Sequence, residues 1–197
     1  MRSDIAALVG SRICHDLISP IGAIGNGVEL IGLTDSTQGP EMALISESVE
    51  NANARIRFFR VAYGAAGSDQ VVGRTEILSI LSANAKSGRF TYYWQIDEDL
   101  PRRDVRIAFL LLQCFETALP TGGDITVTRE DGTWTLMAQG DRLQFEADLW
   151  ESITKPRLGY AHSAAQVQFA LLPTVLQEAR RQIAISSDET QIKAKFR

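Results

Sequence analysis

The chain has 197 residues, of which 45% are hydrophobic and 22% are charged, ordinary values for a globular protein with a sizeable core. Its formal net charge of −4 argues against a general affinity for nucleic acid or for an anionic membrane surface. Cys14 and Cys114 show neither a disulfide framework nor a metal-binding spacing, and no apolar run approaches the ~20 residues that cross a bilayer. Asp4 and Arg12 interrupt the N-terminus early, unlike in a signal peptide. We therefore expect a soluble protein of the cytoplasm.

The first segment with a regular pattern is predicted to be a helix. Six of its residues repeat at alternating spacings of three and four, which is typical of a heptad seam. They are Cys14, Leu17, Ile21, Ile24, Val28 and Ile31. Gly32 and the polar, turn-rich stretch after it predict the end of this helix.

A second heptad helix is predicted to begin at Pro40, because proline is tolerated as the first residue of a helix. Its seam consists of Ile45, Val49, Ala52, Ile56, Phe59, Tyr63 and Ala66. Two heptad helices joined by a short loop predict an antiparallel hairpin, and a lone hairpin leaves much apolar surface in water. We therefore expect a homodimer in which two hairpins form a four-helix bundle. The alternative is that the second segment covers the hairpin within one chain.

After residues 67–69 the pattern becomes mixed, so we predict a helical-hairpin domain at 1–68 and a second domain at 69–197. Helices are predicted at 74–85, 103–119 and 164–180, the last one kinked or split at Pro173. A strand is predicted at 89–96, and hairpins at 124–129 with 133–138 and at 183–186 with 190–196. This order of elements predicts an α+β sandwich with helices on one face of a sheet.

The string His15-Asp16-Leu17-Ile18-Ser19-Pro20 carries the most chemical information. A neutral imidazole is a competent nucleophile toward phosphorus, and on a helix His15 points about 100° away from Cys14, toward solvent. Asp16 can accept a hydrogen bond from the second ring nitrogen and stabilise the imidazolium that develops during attack. Ser19, one turn later, can hold a water or a phosphoryl oxygen. Taken singly, each is more often an ordinary surface residue; the hypothesis rests on their combination within a heptad hairpin.

The hairpin with HDLISP resembles the dimerisation and histidine-phosphotransfer domain of histidine kinases. The wider string CHDLISPIGAIGNGVELI resembles the ChpT-type histidine phosphotransferases of alphaproteobacterial phosphorelays, in which the rest of the chain is a degenerate ATP-binding domain. The resemblance implies that His15 accepts the phosphoryl group, with Asp16 as the adjacent acidic residue and Ser19 as the polar residue one turn on. It also implies a receiver domain of a hybrid histidine kinase as donor and response regulators of the CtrA and CpdR kind as acceptors.

The second segment departs from the ATP-binding pattern of those kinases at three places. Gln113 and Thr117 stand where an asparagine pair would hold Mg²⁺ and phosphates, and Gln139 stands near the position of the adenine-binding aspartate. The final glycine-rich loop is replaced by YAHSAAQVQ after Gly159, and without glycines the backbone cannot wrap phosphates closely. We therefore expect phosphotransfer without ATP and without a cofactor of the chain's own, because the receiver supplies Mg²⁺.

A surface of mostly small residues around His15 is predicted to dock the receiver. Its residues lie four before and three, seven and ten after the histidine: Ser11, Ile18, Gly22 and Gly25. The alternative is that the glycines, with Gly27, only allow tight helix packing. Arg12, Arg57 and Arg60 are predicted to pair with acidic groups of the receiver.

Three rival functions stay open from the sequence. The first is a divergent but active histidine kinase, the second a non-catalytic dimeric scaffold in which His15 is incidental. The third is a phosphatase that acts on a receiver through Asp16 and Ser19.

Overall fold

The computed structural model describes residues 4–34, 39–67, 69–156 and 161–197. Within these ranges the helices are α1 (Ile5–Thr34), α2 (Pro40–Ala62), α3 (Arg74–Ser87), α4 (Arg102–Ala118), α5 (Ala147–Thr154) and α6 (Val167–Glu178). The strands are β1 (Val71–Val72), β2 (Phe90–Trp94), β3 (Leu100–Pro101), β4 (Gly123–Glu130), β5 (Thr133–Gln139), β6 (Ile183–Ser187) and β7 (Gln191–Phe196). A 3₁₀ turn at Ala164–Gln166 leads into α6.

The N-terminal helices form the predicted antiparallel hairpin. Gly27 of α1 lies against Ile45 near the start of α2, whereas Asp16 lies near Arg55 toward its end. Helix α2 begins at Pro40 as predicted. Helix α1 ends at Thr34, within the stretch that was predicted to stop it, although two residues beyond Gly32; a glycine inside a helix costs only about 1 kcal/mol. Residues 35–38 of the predicted loop lie outside the described residues.

The predicted heptad seam of α1 divides into two rows, whereas that of α2 extends past the helix, which ends at Ala62 before Tyr63 and Ala66. In α1 the inner row is half-buried and consists of Leu17, Ile24 and Ile31, while the outer row is exposed and consists of Cys14, Ile21 and Val28. Helix α2 carries a comparable outer row, seven residues apart: Met42, Val49 and Ile56, each at least 40% exposed. Within one chain, therefore, these outer rows remain in contact with water.

The second segment is built on a mixed five-stranded sheet with the strand order β2-β4-β5-β7-β6. Strand β2 is parallel to β4, and every other pair in this sheet is antiparallel. The turn between β4 and β5 contains Asp131 and Gly132, both with positive φ, as the two-residue hairpin turn requires. The antiparallel pairs β4–β5 and β6–β7 confirm both predicted hairpins.

One face of this sheet is covered by helices, which confirms the predicted α+β class. Ile125, Trp134, Leu136 and Phe196 are buried to 1% exposure or less on that face, in the same apolar cluster as residues of α4 and α6. Helix α4 contributes the largest share of this core, since it is buried along nearly its whole length.

The helices of the second segment differ from prediction in two places. Helix α5 was not predicted, because two turns are too short for a clear period; its Trp150 stacks on Phe115 of α4. Helix α6 is also not split at Pro173, since it continues through that residue; a kink there stays a prediction. The segment divides earlier, where the 3₁₀ turn ends before Val167. Phe169 and Leu172, in the turn that precedes Pro173, are fully buried, and this packing stabilises the helix despite the missing hydrogen bond.

The hairpin and the second segment share one core. Phe58, Val61 and Ala62 at the end of α2 belong to the same apolar cluster as α4, and Leu8 and Val9 near the start of α1 pack against it. The predicted domain boundary between residues 68 and 69 stays a prediction, and residue 68 lies outside the described residues. No helix in the described part of the chain is long and apolar enough to cross a membrane.

Candidate functional site

The candidate site is centred on His15 in the first half of α1. The side chain of His15 is 85% exposed, whereas that of Asp16 is only 10% exposed. Nδ1 of His15 lies 3.1 Å from Oδ1 of Asp16. Because a carboxylate only accepts hydrogen bonds, this contact favours, for the neutral imidazole, the tautomer with the proton on Nδ1, whose Nε2 lone pair is directed away from Asp16. The arrangement leaves Nε2 as the ring nitrogen that faces away from Asp16 on an exposed side chain.

Two arginines neutralise the carboxylate of Asp16. Nε of Arg12, one turn earlier on α1, donates a 2.7 Å hydrogen bond to Oδ2 of Asp16, and Nη1 of Arg55 lies 3.9 Å from the same oxygen. Burial works to lower the pKa of Arg12, but the charge and hydrogen bond of Asp16 outweigh it and raise that pKa. Asp16 is therefore a fixed, paired carboxylate rather than a freely solvated one.

A polar cavity of about 210 Å³ lies behind Asp16, between the hairpin and the second segment. It is lined by both arginines and by Glu116 of α4. Burial raises the pKa of Glu116, although Tyr92 donates it a hydrogen bond and the arginines attract its charged form. Sequence analysis missed Arg55 and Glu116. A carboxylate in the last turn of α4, after the apolar run at 107–112, was the signal for Glu116; no signal in the sequence points to Arg55.

Four of the predicted docking residues are exposed on α1: Ser11, Ile18, Gly22 and Gly25. At 100° per residue, Ser11, Ser19 and Gly22 lie within about 40° of His15 around the helix, and all three are exposed. Ile18 is 69% exposed and lies between this face and the outer row.

The glycines of α1 fall into two groups. A methyl group at Gly22 or Gly25 would meet no atom within 4 Å, whereas at Gly27 it would lie 2.5 Å from Cγ1 of Ile45. Tight helix packing therefore accounts for Gly27, but not, within this chain, for Gly22 and Gly25.

Arg57 and Arg60 connect α2 to α3. Nη1 of Arg57 donates to Oγ of Ser79 at 3.2 Å, and Nη2 of Arg60 donates to Oε1 of Glu76 at 2.7 Å. The guanidinium of Arg60 is still 62% exposed. Their contact with a receiver stays a prediction.

The two residues at the expected asparagine positions are engaged in packing. Oε1 of Gln113 accepts a 2.9 Å hydrogen bond from the hydroxyl of Tyr63, whose pKa burial raises to about 12. Nε2 of the fully buried Gln168 donates to Oγ1 of Thr117 at 2.9 Å and to the carbonyl of Ala165 at 3.0 Å. These contacts join α6 and its preceding 3₁₀ turn to α4.

Gln139, near the expected adenine position, contacts the neighbouring strand of the sheet. Nε2 of Gln139 lies 3.4 Å from Oε1 of Gln191 on the neighbouring strand β7. Gly159 and Tyr160 of the replaced loop lie outside the described residues. Among the residues that are described, no three histidine, cysteine, aspartate or glutamate side chains are grouped for a metal ion.

Three comparisons with known proteins bear on the site. Residues 74–191, more than half of the chain, match the family model described as the histidine phosphotransferase C-terminal domain. Protein phosphotransferase ChpT of Brucella abortus (strain 2308) is 37% identical over 129 residues, which cover 64% of this chain and 61% of that relative.

Among solved structures, a bacterial phosphotransferase aligns with a TM-score of 0.79 and 28% identity, covering 100% of this chain and 97% of the other. The chain spans about three fifths of the length of the curated relative, but nearly all of the solved one.

Proposed function

The chain belongs to the histidine phosphotransferase family, and we propose that it is a phosphorelay carrier that receives a phosphoryl group on His15. The group comes from the aspartyl phosphate of one receiver domain and passes to the aspartate of another. The observation that carries this proposal is the geometry of His15, whose exposed ring is held through Nδ1 by a paired carboxylate. The name of the curated relative, a protein phosphotransferase, supports the same class of reaction.

The proposed transfer uses one bond exchange at phosphorus. Nε2 of His15 attacks in line, a P–N bond forms, and the P–O bond to the receiver aspartate breaks so that the carboxylate leaves with the electron pair. Asp16 stabilises the positive charge that the ring acquires through Nδ1. Ser19 lies where its hydroxyl can contact a phosphoryl oxygen, and the receiver supplies Mg²⁺. The return step to an acceptor aspartate is the reverse of this exchange.

The docking surface consists of Ser11, Ile18, Gly22 and Gly25 around His15. The open space above Gly22 and Gly25 supports close approach by another protein's backbone. We assign the donor to the receiver of a hybrid histidine kinase and the acceptors to response regulators of the CtrA and CpdR kind. Since such receivers act in the cytoplasm, the proposal places the chain there as well.

A second copy of the chain is the proposed occupant of the outer rows. Ile21 and Val28 of α1, with Val49 and Ile56 of α2, are between 41% and 58% exposed and follow the heptad spacing of a bundle interface. The second segment covers the start of α1 and the end of α2 but leaves these residues in water. Pairing two hairpins would bury them in a four-helix bundle.

The packing of α6 on α4 supports transfer without ATP. Gln168 occupies a fully buried position against Thr117, so the side chains at the expected phosphate-binding positions already have protein partners. A divergent kinase would need this contact to open. A scaffold would have no use for the Arg12–Asp16–His15 arrangement, and a receiver phosphatase would need a water rather than a phosphorylated His15.

The experiment that tests this proposal compares two phosphoryl sources. The protein is incubated with radiolabelled ATP alone, or with a phosphorylated receiver from which ATP has been removed. The proposal predicts acid-labile label on the chain from the receiver only, located at His15 by mass spectrometry. Label from ATP alone would instead indicate a kinase, and no label from either source would leave a scaffold or a phosphatase.

A further inference from the structure

We propose that Arg12 is a positioning residue, which fixes the Asp16 carboxylate so that it holds His15 in its nucleophilic tautomer. This inference rests on the proposed role of His15. Sequence analysis assigned Arg12 to the receiver surface, but its side chain is only 19% exposed, against 85% for His15. Its guanidinium is turned toward groups of its own chain.

The two oxygens of Asp16 have separate partners. Oδ2 accepts the 2.7 Å hydrogen bond from Nε of Arg12, and Oδ1 faces Nδ1 of His15 at 3.1 Å. A carboxylate is planar, so a strong charge-assisted bond that fixes one oxygen also sets the direction of the other. Arg55 lies 3.9 Å from Oδ2, beyond hydrogen-bonding distance, so it adds attraction without direction.

Arg12 is itself held at a second point. Its Nη1 donates a 3.0 Å hydrogen bond to the carbonyl oxygen of Ala165 in the 3₁₀ turn. The same carbonyl accepts a hydrogen bond from the buried Gln168. Because both ends of the guanidinium are engaged, its orientation is fixed before any receiver binds. The second segment thereby contributes to the orientation of the imidazole on the first helix.

The chemical consequence concerns which ring nitrogen carries the proton. While Asp16 accepts from Nδ1, the lone pair is on Nε2, the nitrogen that a receiver can reach. Loss of the Arg12 bond lets the carboxylate turn toward water, so the proton redistributes onto Nε2. A ring protonated at Nε2 cannot attack through that atom, so the maximal rate falls while receiver binding does not change.

Three variants separate positioning from the other roles of Arg12. Arg12→Gln removes the charged donor, and Arg12→Lys keeps a cation one turn from Asp16. The matched control is Arg106→Gln. Arg106 also donates to a backbone carbonyl, that of Ala62 at 3.3 Å, and to a carboxylate, that of Glu178 at 3.4 Å. It also joins the hairpin to α6, but it makes no contact with Asp16 in the described structure.

Two measurements are made on each full-length variant. Nitrogen-15 NMR of the imidazoles reports the tautomer, and assignment is simple because the chain has two histidines and His15→Gln removes one. Single-turnover transfer from a phosphorylated receiver, over a range of receiver concentrations, gives the maximal rate and the half-saturating concentration. The tautomer is read on the unphosphorylated protein, so it tests Arg12 whether or not His15 is a phosphoryl acceptor.

The expected result has three parts. In Arg12→Gln the Nδ1–H tautomer is lost and the maximal rate falls about tenfold, with an unchanged half-saturating concentration. Arg12→Lys recovers part of the Nδ1–H tautomer and part of the maximal rate. Arg106→Gln has the tautomer and the maximal rate of the wild type. A wild-type tautomer and rate in Arg12→Gln would overturn the inference, as would an equal loss in Arg106→Gln. A rise in half-saturating concentration alone would show that Arg12 contacts the receiver instead. Wild-type protein that takes no label would contradict the proposed function and leave the tautomer comparison to decide the role of Arg12.

Discussion

The hydroxyl of Tyr92 on β2 donates a 2.6 Å hydrogen bond to Oε1 of Glu116 on α4, at the wall of the cavity behind Asp16. This bond favours the charged form of Glu116, but burial outweighs it and raises the pKa of the carboxyl above its ordinary value. The folded state therefore binds a proton at Glu116 more tightly than the unfolded chain does. Glu116 thus lowers the stability of the fold once the pH exceeds its unfolded pKa.

The first prediction follows from the raised pKa of Glu116. Between the ordinary pKa of 4.5 and neutral pH, ionisation of Glu116 reduces the free energy of unfolding, and the loss is complete above the raised pKa. Glu116→Gln keeps an acceptor for Tyr92 without the charge, so we expect it to be more stable than the wild type at pH 7.5 and equal to it at pH 4. Urea unfolding at both values checks this, with the exposed Glu130→Gln as control. Equal stability of Glu116→Gln and the wild type at pH 7.5 would contradict the assignment.

The second prediction contrasts two glycines of α1. Gly22→Ala places a methyl group in open space and should stabilise the helix by about 1 kcal/mol, yet slow transfer, because the receiver must approach there. Gly27→Ala drives a methyl group toward Ile45, and overpacking of about 1–3 kcal/mol exceeds the gain in helix propensity. Thermal unfolding and transfer from a phosphorylated receiver measure the two effects. Unimpaired transfer in Gly22→Ala would remove Gly22 from the docking surface.

The third prediction concerns the oligomeric state. Val28 in the outer row of α1 is 57% exposed, and Val71 outside the hairpin is 61% exposed. If a second copy covers the outer rows, Val28→Glu buries a charge in the bundle and dissociates the dimer. Val71→Glu, matched in residue type and exposure, leaves it intact. Sedimentation equilibrium distinguishes these results, and a monomeric wild type would contradict the proposed bundle.

The fourth prediction concerns the joint between α4 and the end of α6. Nε and Nη2 of Arg181 donate hydrogen bonds of 2.8 and 2.7 Å to the two carboxylate oxygens of Asp104, which is 1% exposed. Removing the arginine leaves a buried, unpaired charge, so Arg181→Leu should lower the free energy of unfolding by about 3 kcal/mol. The exposed Arg142→Leu serves as the control in the same urea titration. A loss no larger than that of the control would show that Asp104 finds another partner or takes up a proton.

The features that could be predicted from the sequence are those that depend on residues close together in the chain. The contact between His15 and Asp16 joins neighbouring residues on one helix, and the hairpin turn at Asp131 and Gly132 follows from residue type alone. The order of the three longer helices and of the five strands of the main sheet was likewise predicted from periodicity, whereas the two-residue strands β1 and β3 were not predicted. Helix α5 was missed because its two turns give no period to detect.

The rest of the site depends on contacts between distant parts of the chain. Arg12 had the correct spacing to reach Asp16, but its bond to Ala165 requires the second segment to be folded against α1. Arg55 and Glu116 meet behind Asp16 only because α2 and α4 pack there. Heptad spacing also could not distinguish the two rows of the α1 seam, of which one packs within the chain and the other stays exposed.

The most direct test of the central claim is passage of one phosphoryl group through His15 between two receivers. A donor receiver is phosphorylated with radiolabel and freed of its kinase and nucleotide, then mixed with an acceptor receiver and this chain or its His15→Gln variant. We expect label to appear first on the wild-type chain and then on the acceptor, whereas with His15→Gln it appears on neither. Label reaching the acceptor equally well with His15→Gln would contradict it.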